Sequence, residues 1–344
     1  MKLKSLLIGS AALAAAATGA KAADPIVVPE PEPMEYVRVC DVYGAGFFYI
    51  PGTETCLKIG GMVRYQIDWS ENDDGWRKYA RGELNIDARS ETEYGTLGGF
   101  IKLRATSGNE DGPDPAANDG GWLSTGVNSS VGLQEAIISL GGLSMGLSDT
   151  LYDAALSGEF DNGGGDRVHF IRYTFAAGNG VVAALALEEA DNNYDYTPNV
   201  VGKVGVSQGW GSVDGWVAYD ATAEEWAAKA IARIKATQQL TLELLGTYES
   251  GLSYYSVEWD GNAGYEYSLG GYLKYAATPK LTLGFGGQYF GDQHATGADD
   301  WALGGVVDYA LVENFNTKLA VNYFDGDSTG DGYFKGFIRF QRDF

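Results

Sequence analysis

The sequence has few histidines, cysteines and basic residues, and it lacks a long apolar run. It holds two His and two Cys in 344 residues, and its 24 Lys and Arg stand against 46 Asp and Glu, so the formal net charge is −22. That charge argues against nucleic acid as a partner. After residue 22, no stretch approaches the ~20 consecutive apolar residues that a transmembrane helix requires.

The first 22 residues have the three parts of a secretory signal peptide. Lys2 and Lys4 are basic, Leu6 to Ala17 is apolar but too short to span a bilayer, and Ala20-Lys21-Ala22 is a small-x-small site. We therefore predict a signal peptide over 1–22, in preference to a disordered Ala-rich tail.

Residues 23–57 are predicted to form a leader outside the main fold. Prolines at positions 25, 29, 31 and 33 indicate an extended, stiff chain. The leader also holds Cys40 and Cys56, and in an exported protein a lone pair of cysteines is most simply one disulfide. A loop of about 15 residues closed in this way contributes roughly 3 kcal/mol. A redox or metal role is disfavoured because there is no CxxC and no nearby His.

From residue 58 onward, apolar and polar residues alternate with a period of two, which is typical of β-strands. In KIGGMVRYQIDW (58–69), Ile59 and Val63 fall on one face, and Arg64 and Gln66 fall on the other. Sixteen such segments, separated by turn residues, are predicted at 58–69, 78–90, 94–106, 131–140, 142–152, 167–177, 180–189, 200–208, 210–220, 226–236, 239–250, 265–276, 281–290, 300–310, 315–324 and 333–344.

Two of these segments are ambiguous. HFIRYTF (169–175) fits either phase in part, and WAAKAIARIKA (226–236) has the look of an amphipathic helix. We predict a strand for the second because Lys229, Arg233 and Lys235 alternate with small residues.

The faces of the strands favour a closed barrel in a membrane over a soluble sandwich. Sixteen strands in an open sheet leave edges, and in hydrocarbon every backbone hydrogen bond must be made within the protein, so the sheet has to close. A barrel of this size is too wide for side chains to fill and leaves an aqueous channel. Such a channel accommodates the basic residues that occur in mid-strand: Arg64, Arg81, Arg89, Lys102, Arg104, Lys229, Arg233, Lys318, Lys335 and Arg339.

Connections and aromatic residues agree with this class. Short turns alternate with long polar loops such as 153–166 and 251–264, as in outer-membrane barrels. The chain ends on Phe344, predicted to anchor the last strand at the periplasmic interface. The fold class is therefore all-β, a transmembrane antiparallel barrel of about 16 strands.

Interfacial girdles are predicted from aromatics near the segment ends: Trp69, Trp76, Tyr79, Tyr94, Trp122, Trp210, Trp216, Trp226, Tyr289, Phe290, Trp301, Tyr309, Phe315, Tyr323, Phe324, Tyr333 and Phe344.

Both ends of the chain resemble a known family. YVRVCDVYGAGFFYIPGTETCLKIGGMVRYQ (36–66) is similar to the N-terminal signature of the alphaproteobacterial (rhizobial and Brucella-type) outer-membrane porins, and GFIRFQRDF (336–344) is similar to their C-terminus. The resemblance implies a homotrimeric general-diffusion porin, a passive water-filled channel for small hydrophilic solutes and ions. The implied partners are outer-membrane lipids, lipopolysaccharide and the barrel assembly machinery. No cofactor and no metal are implied.

The resemblance also implies that the long loop after the fifth strand folds into the lumen and sets the pore size. The matching stretch, DTLYDAALSGEFDNGGGD (149–166), contains acids and no base. Acid on the loop facing base on the wall would create a transverse field that orients polar solutes and sets charge preference. The alternative is that the loop acids are solvated or pair locally. The candidate loop acids are Asp149, Asp153, Glu159, Asp161 and Asp166, and the candidate wall bases are Arg64, Arg81, Arg89, Lys102, Arg104 and Arg172, the last if its phase is inward.

Two other functions stay open at this point. A barrel enzyme needs a nucleophile, a base and an orienting group, yet His169 and His294 lie beside no obvious Ser motif. A barrel that serves only as a surface anchor or adhesin usually has about eight to ten strands with large loops. The stretch DGDSTGDG (325–332) has the acid spacing of a calcium loop but lacks the closing Glu, so a surface hairpin loop is predicted.

Overall fold

The computed structural model describes residues 38–73, 75–108, 131–190 and 197–344. The predicted signal peptide and the proline-rich part of the leader lie outside these residues and stay predictions. No helix in the described ranges is long and apolar enough to cross a membrane. One 3-10 turn, Asp41–Tyr43, precedes the strands, which are β1 (Phe48–Tyr49), β2 (Cys56–Ser70), β3 (Trp76–Thr92), β4 (Gly95–Gly108), β5 (Val131–Leu140), β6 (Leu143–Asp149), β7 (Arg167–Ala176), β8 (Val181–Glu189), β9 (Asn199–Gln208), β10 (Gly211–Asp220), β11 (Glu225–Lys235), β12 (Leu240–Glu249), β13 (Glu258–Trp259), β14 (Asn262–Ala263), β15 (Tyr265–Ala276), β16 (Leu281–Gln293), β17 (Asp300–Val312), β18 (Phe315–Gly326) and β19 (Tyr333–Asp343).

Sixteen long strands, β2 to β12 and β15 to β19, form a closed antiparallel barrel. Each pairs with the next in chain order, and β19 pairs with β2 to complete the ring, placing Ile338 opposite Ile67. The sixteen predicted segments are confirmed, and each predicted end lies within about three residues of the observed one. The ambiguous segment at 226–236 is a strand, β11, as predicted.

Alternate side chains of each strand face the outside and the lumen. On β2, the outward side chains of Ile59 and Val63 are 51% and 57% exposed, whereas the inward side chains of Met62 and Gln66 are buried. Since side chains alternate along a strand, every barrel strand repeats this division. A continuous apolar outer surface is unfavourable in water and favourable in lipid, so the outer face is the membrane-facing one.

Part of the girdle prediction is wrong. Tyr94, Trp226 and Phe344 are exposed on the outside, but five of the predicted girdle aromatics are buried inside the barrel. Position near a strand end does not determine which face a side chain takes, and inward loops give these rings an apolar surface to pack on. The five are Tyr79, Trp216, Phe290, Phe324 and Tyr333. Trp122 lies outside the described residues.

The two ends of the barrel differ. At the turn end, neighbouring strands are joined by short turns such as Gly141-Gly142, where Gly141 has a φ of +57° that glycine adopts without steric cost. The chain terminus is also at this end, since the backbone N–H of Phe344 donates to the Gly61 carbonyl at 3.0 Å. At the opposite, loop end, the connections are longer. The DGDSTGDG stretch is there and joins β18 to β19 as a hairpin loop.

The Cys40–Cys56 disulfide is present and ties the segment before β2 to the barrel at the turn end. The Phe47 ring packs with both cysteines. The guanidinium of inward-facing Arg89 lies over that ring, 5.3 Å from its centroid. The segment between Cys40 and Cys56 therefore lies against the inner wall of the barrel at β2 and β3.

Candidate pore constriction

Residues 150–166, between β6 and β7, fold into the lumen and are called the constriction loop below. Tyr152, Leu156 and Phe160 of this loop are 0%, 7% and 4% exposed. They belong to one hydrophobic cluster with inward side chains of distant strands, and the Phe160 ring centroid is 6.1 Å from that of Tyr272 on β15. The expected inward-folded loop is confirmed.

The close packing of the loop depends on its glycines. A Cβ on Gly163 would lie 1.9 Å from the carbonyl oxygen of Ala154 on the other limb of the loop. A Cβ on Gly164 would lie 2.2 Å from the carbonyl oxygen of Tyr255, and Gly164 also has a φ of +76°. Any larger residue would push these backbones apart, so the glycine run allows the loop to double back inside the barrel.

Lys229 on β11 holds both limbs of the constriction loop. Its Nζ donates to the carbonyl oxygens of Tyr152, Ala154 (2.8 Å) and Gly163 (2.7 Å). The side chain is 3% exposed. A buried ammonium group is tolerated when all three of its donors are satisfied, as they are here. Arg233, four residues further along β11 on the same face, donates a bond to the carbonyl of Ala155 at 2.7 Å.

The tip of the loop is bound to the far wall through Glu159. Its Oε1 lies 2.7 Å from Nζ of Lys318 on β18 and 3.6 Å from a guanidinium nitrogen of Arg339 on β19. Its backbone carbonyl accepts a bond of 2.9 Å from the amide of Asn322. These contacts extend the loop across the lumen.

Two further polar side chains of the wall bind the loop on either side of its tip. The carboxylate of Glu243 accepts bonds from the backbone N–H and the hydroxyl of Ser157, at 2.8 and 2.7 Å. The side-chain amide of Gln288 both accepts from and donates to the backbone of Asn162, at 3.0 and 2.8 Å. Because three of these four bonds are made to backbone groups, they fix the path of the loop as well as the position of its side chains.

Asp161 is the loop acid whose protonation is most strongly altered. Its carboxylate accepts a bond from the backbone N–H of Leu156 at 2.5 Å. Burial raises the pKa of Asp161 to about 6, although backbone N–H bonds lower it; the nearby carboxylates of Glu243 and Glu159 make smaller contributions that raise it. The charge on the loop therefore changes in mildly acidic solution.

Four arginines form a row on the inner wall, across β19, β2, β3 and β4. Arg64 lies directly opposite Arg81 in the β2–β3 register, a like-charge pairing that destabilises a sheet. The row is hydrogen-bonded: Arg64 donates to Gln341 at 2.9 Å, and Arg81, which is buried, donates to Thr106 at 3.2 Å. We call this set the arginine row: Arg64, Arg81, Arg104 and Arg339.

Several predicted site residues lie away from the arginine row and the loop tip. Asp149, Asp153 and Asp166 are exposed at the root of the constriction loop, where Asp149 is 3.8 Å from Arg167. Arg172 faces inward. Arg172, Arg89 and Lys102 each have a carboxylate neighbour on the barrel wall: Glu188 at 3.8 Å from Arg172, Asp87 at 2.7 Å from Arg89, and Glu135 beside Lys102. Arg104 is paired as well, with Glu83 at 3.1 Å.

The residues that bind the loop were not assigned to the site from sequence. Lys229, Arg233, Lys318 and Arg339 were recognised only as mid-strand bases, and Glu243 and Gln288 were not singled out. The sequence did indicate that these side chains face the lumen, on strands far along the chain from the loop. Phase alone does not show which inward side chain the loop reaches.

Comparisons with known proteins agree with this geometry. A family model described as a Porin subfamily matches residues 24–339. Over the full length of both chains, the sequence is 39% identical to Porin Omp2b and to Porin Omp2a of Brucella suis biovar 1 (strain 1330).

Solved structures show the same fold. The chain is similar to a loop-deletion mutant of OmpT, an outer membrane protein of Vibrio cholerae, with a TM-score of 0.61 at 12% identity, over 85% of this chain and 100% of the other. It is also similar to a triple mutant of Rhodopseudomonas blastica porin, with a TM-score of 0.57 at 16% identity, over 84% of this chain and 100% of the other.

A closed sixteen-stranded barrel with an apolar outside, a charged lumen and an inward loop is an integral outer-membrane channel protein. The chain belongs to the porin family. It is a general-diffusion porin, a passive channel across the outer membrane.

Proposed function

We propose that solutes pass between the tip of the constriction loop, held at Arg339, and the other members of the arginine row, Arg64, Arg81 and Arg104, and that a transverse field across this gap orients them. The observation that carries the proposal is the like-charge pair Arg64–Arg81, adjacent to Arg339, which the tip carboxylate of Glu159 approaches to 3.6 Å. A narrow aqueous gap with carboxylates on one side and guanidinium groups on the other acts on dipolar solutes and sets charge preference.

Charge reversal in the arginine row tests this field. Arg81→Glu should shift the reversal potential of the refolded protein toward cation preference in a planar bilayer under a salt gradient. The matched control is Lys280→Glu, the same change of charge in the exposed turn between β15 and β16. If Arg81→Glu leaves both conductance and ion preference at the parent values, the field proposal is wrong.

We further propose that three copies form the functional channel in outer-membrane lipid and lipopolysaccharide, and that the barrel assembly machinery inserts each copy. The resemblance to the porin family, which implies these partners and a homotrimer, supports this proposal. Single-channel recording tests it, because a trimer of open pores gives conductance steps that arrive in threes. Steps that arrive singly, with an intact monomer in detergent, contradict it.

The proposed function includes no catalysis. His169 is an exposed residue of β7 in the outward phase shared with Ile171, which is no place for a general base acting in the lumen. Lipase and protease assays of the refolded protein should give only the background rate. Well-inserted protein without conductance would instead favour a surface anchor or adhesin.

We also propose that the mature chain begins at Ala23, after removal of the 1–22 signal peptide, and that the leader 23–57 precedes the barrel. The basic, apolar and small-residue parts of the N-terminus support this. N-terminal sequencing of protein purified from outer membranes tests it, and a mature N-terminus at Met1 contradicts it.

A further inference from the structure

A second connection, residues 250–264 between β12 and β15, also enters the lumen. It was predicted only as a long polar loop, yet Tyr255, Val257 and Trp259 are 0%, 0% and 2% exposed. Burial at this level requires surrounding protein, and the inward ring of Phe324 is one neighbour, its centroid 6.0 Å from that of Trp259. The indole N–H of Trp259 also donates to the carbonyl of Trp301 at 3.2 Å.

This second loop packs directly on the constriction loop. The Tyr255 ring is edge-on to the Tyr152 ring, with centroids 5.4 Å apart. One buried carboxylate, Glu188 on β8, binds both loops. It accepts bonds from the Leu151 N–H at 2.8 Å and from the Thr150 hydroxyl of the constriction loop, and from the Tyr255 hydroxyl at 3.1 Å.

A short hairpin, β13–β14, forms the tip of the second loop. Its two turn residues, Asp260 and Gly261, have φ values of +44° and +87°, the left-handed pair that a tight two-residue hairpin requires and that Asp-Gly favours. The turn directs Asp260 onto the wall, where its carboxylate contacts the ammonium group of Lys335 and the hydroxyl of Tyr333.

The two loop tips bind the same strand at successive depths. Asp260 reaches Lys335 near the loop end of β19, and Glu159 reaches Arg339 four residues deeper, about 13 Å at ~3.3 Å per residue. Asp260 and Glu159 both line a cavity of about 450 Å³, together with Gln66 and Asp68 of β2, the strand next to β19, and Tyr79 of β3. A solute entering from the loop end therefore meets Asp260 before Glu159.

We propose that the second loop is an outer constriction in series with the first, and that the Asp260–Lys335 pair sets ion preference at the loop-end mouth. This rests on the proposed function, since it requires a conducting lumen. Narrow sections in series add their resistances, and a charge at a narrow mouth changes the local concentration of ions. The pair is neutral when intact, so removal of either partner leaves the other charge exposed to the permeation path.

Removing the acid and removing the base of this pair should change the permeability ratio in opposite directions. Asp260→Asn leaves Lys335 unpaired and should lower the cation-to-anion permeability ratio about two- to threefold. Lys335→Gln leaves Asp260 unpaired and should raise the ratio by a similar factor. Glu313→Gln, a loss of one acid in the exposed turn between β17 and β18, is the control and should leave the ratio unchanged.

A hairpin deletion tests the series arrangement. The N–H of Gly264 already donates to the carbonyl of Val257 at 3.0 Å, so a Gly-Gly link in place of residues 258–263 joins neighbouring ends. The deletion should raise single-channel conductance by up to about twofold, if the two narrow sections have similar resistance. Heat-modifiable gel mobility checks that each variant is a folded barrel.

The outcomes separate this inference from the proposed function. If the deletion and both single variants keep the parent conductance and permeability ratio while Arg81→Glu shifts the ratio, the outer constriction is wrong and the inner field stands. If Asp260→Asn and Lys335→Gln change the ratio in the same direction, the pair assignment is wrong. If the folded parent itself does not conduct, the proposed function fails together with the inference.

Discussion

Glu159 at the tip of the constriction loop lies 2.7 Å from Lys318 on β18, a residue 159 positions further along the chain. This contact crosses the lumen from the β6–β7 side. Since it joins a loop acid to a wall base inside the barrel, it forms one edge of the proposed permeation gap, with Arg64, Arg81 and Arg104 of the arginine row at the other.

Glu159→Gln should increase anion preference. The substitution removes a carboxylate while Lys318 and Arg339 keep their charges, so the net charge of the gap becomes more positive. The reversal potential of the refolded variant in a salt gradient measures this. Glu91→Gln, an exposed acid at the turn end of β3, is the control. An unchanged reversal potential for Glu159→Gln would show that the tip does not border the path of the ions.

Lys229→Met should release the constriction loop without opening the barrel. The variant leaves three loop carbonyls without their charged donor, and hydrogen bonds to charged groups contribute about 1.5–3 kcal/mol each at most. We expect larger and noisier single-channel conductance, with far-UV circular dichroism still that of a β-barrel. Lys203→Met, on β9 two strands from β11, removes a base that pairs with Asp214 at 3.3 Å and should keep parent-like noise. Quiet, parent-sized channels from Lys229→Met would contradict the anchoring role.

Ion preference should depend on pH near 6 through Asp161. Its pKa of about 6 lies above the ordinary value of 3.8, so the docked loop favours the neutral carboxyl. Loop docking is therefore weakened as pH rises from about 4 to about 6, and cation preference in the docked state is gained around pH 6, where the carboxylate forms. Reversal potentials measured from pH 4.5 to 8 report the change.

Asp161→Asn should remove this step because the side chain no longer titrates. Asp153→Asn is the matched control: partial desolvation of its carboxylate and the nearby Asp149 also raise the pKa of Asp153, but this residue lies at the loop root, so the step near pH 6 should persist. A step that survives in Asp161→Asn would assign the titration to another group.

Loss of the Cys40–Cys56 disulfide should loosen the leader and spare the barrel. The double change to serine removes a cross-link worth roughly 3 kcal/mol, but none of the sixteen barrel pairings depends on residues before β2. Limited proteolysis should cut within 41–55 in the variant and not in the parent. Heat-modifiable mobility of the barrel should be the same in both, and a variant that fails to form the barrel would contradict this.

The barrel itself was predictable because its signal is local. Alternation with a period of two fixes which side chains share a face, and the apolar face then has to meet lipid. Ile59, Val63 and Phe344 were placed outside on this basis, and they are exposed there. The girdle prediction failed for Phe324 and Tyr333 because it rested on proximity to a strand end, which does not determine the face.

The constriction could be predicted only in outline. The acids of 149–166 were identified, but the sequence did not show that Glu159 alone would reach across to β18 and β19. Nor did it show that Asp149, Asp153 and Asp166 would remain at the root. The second loop was missed, although Asp260-Gly261 is a strong two-residue hairpin signal and Tyr255, Val257 and Trp259 are unusually apolar for an external loop.

By itself the sequence determined the strands, their faces, the closed barrel and the acidic character of the loop, because each follows from spacing along a short stretch or from the solvent that stretch must meet. Only the tertiary structure decided which inward side chains the loops contact. Lys229 and Gly163 are 66 residues apart, and so are brought together only once the ring of strands has closed around the loop. The size and charge of the gap depend on such contacts, which no local pattern encodes.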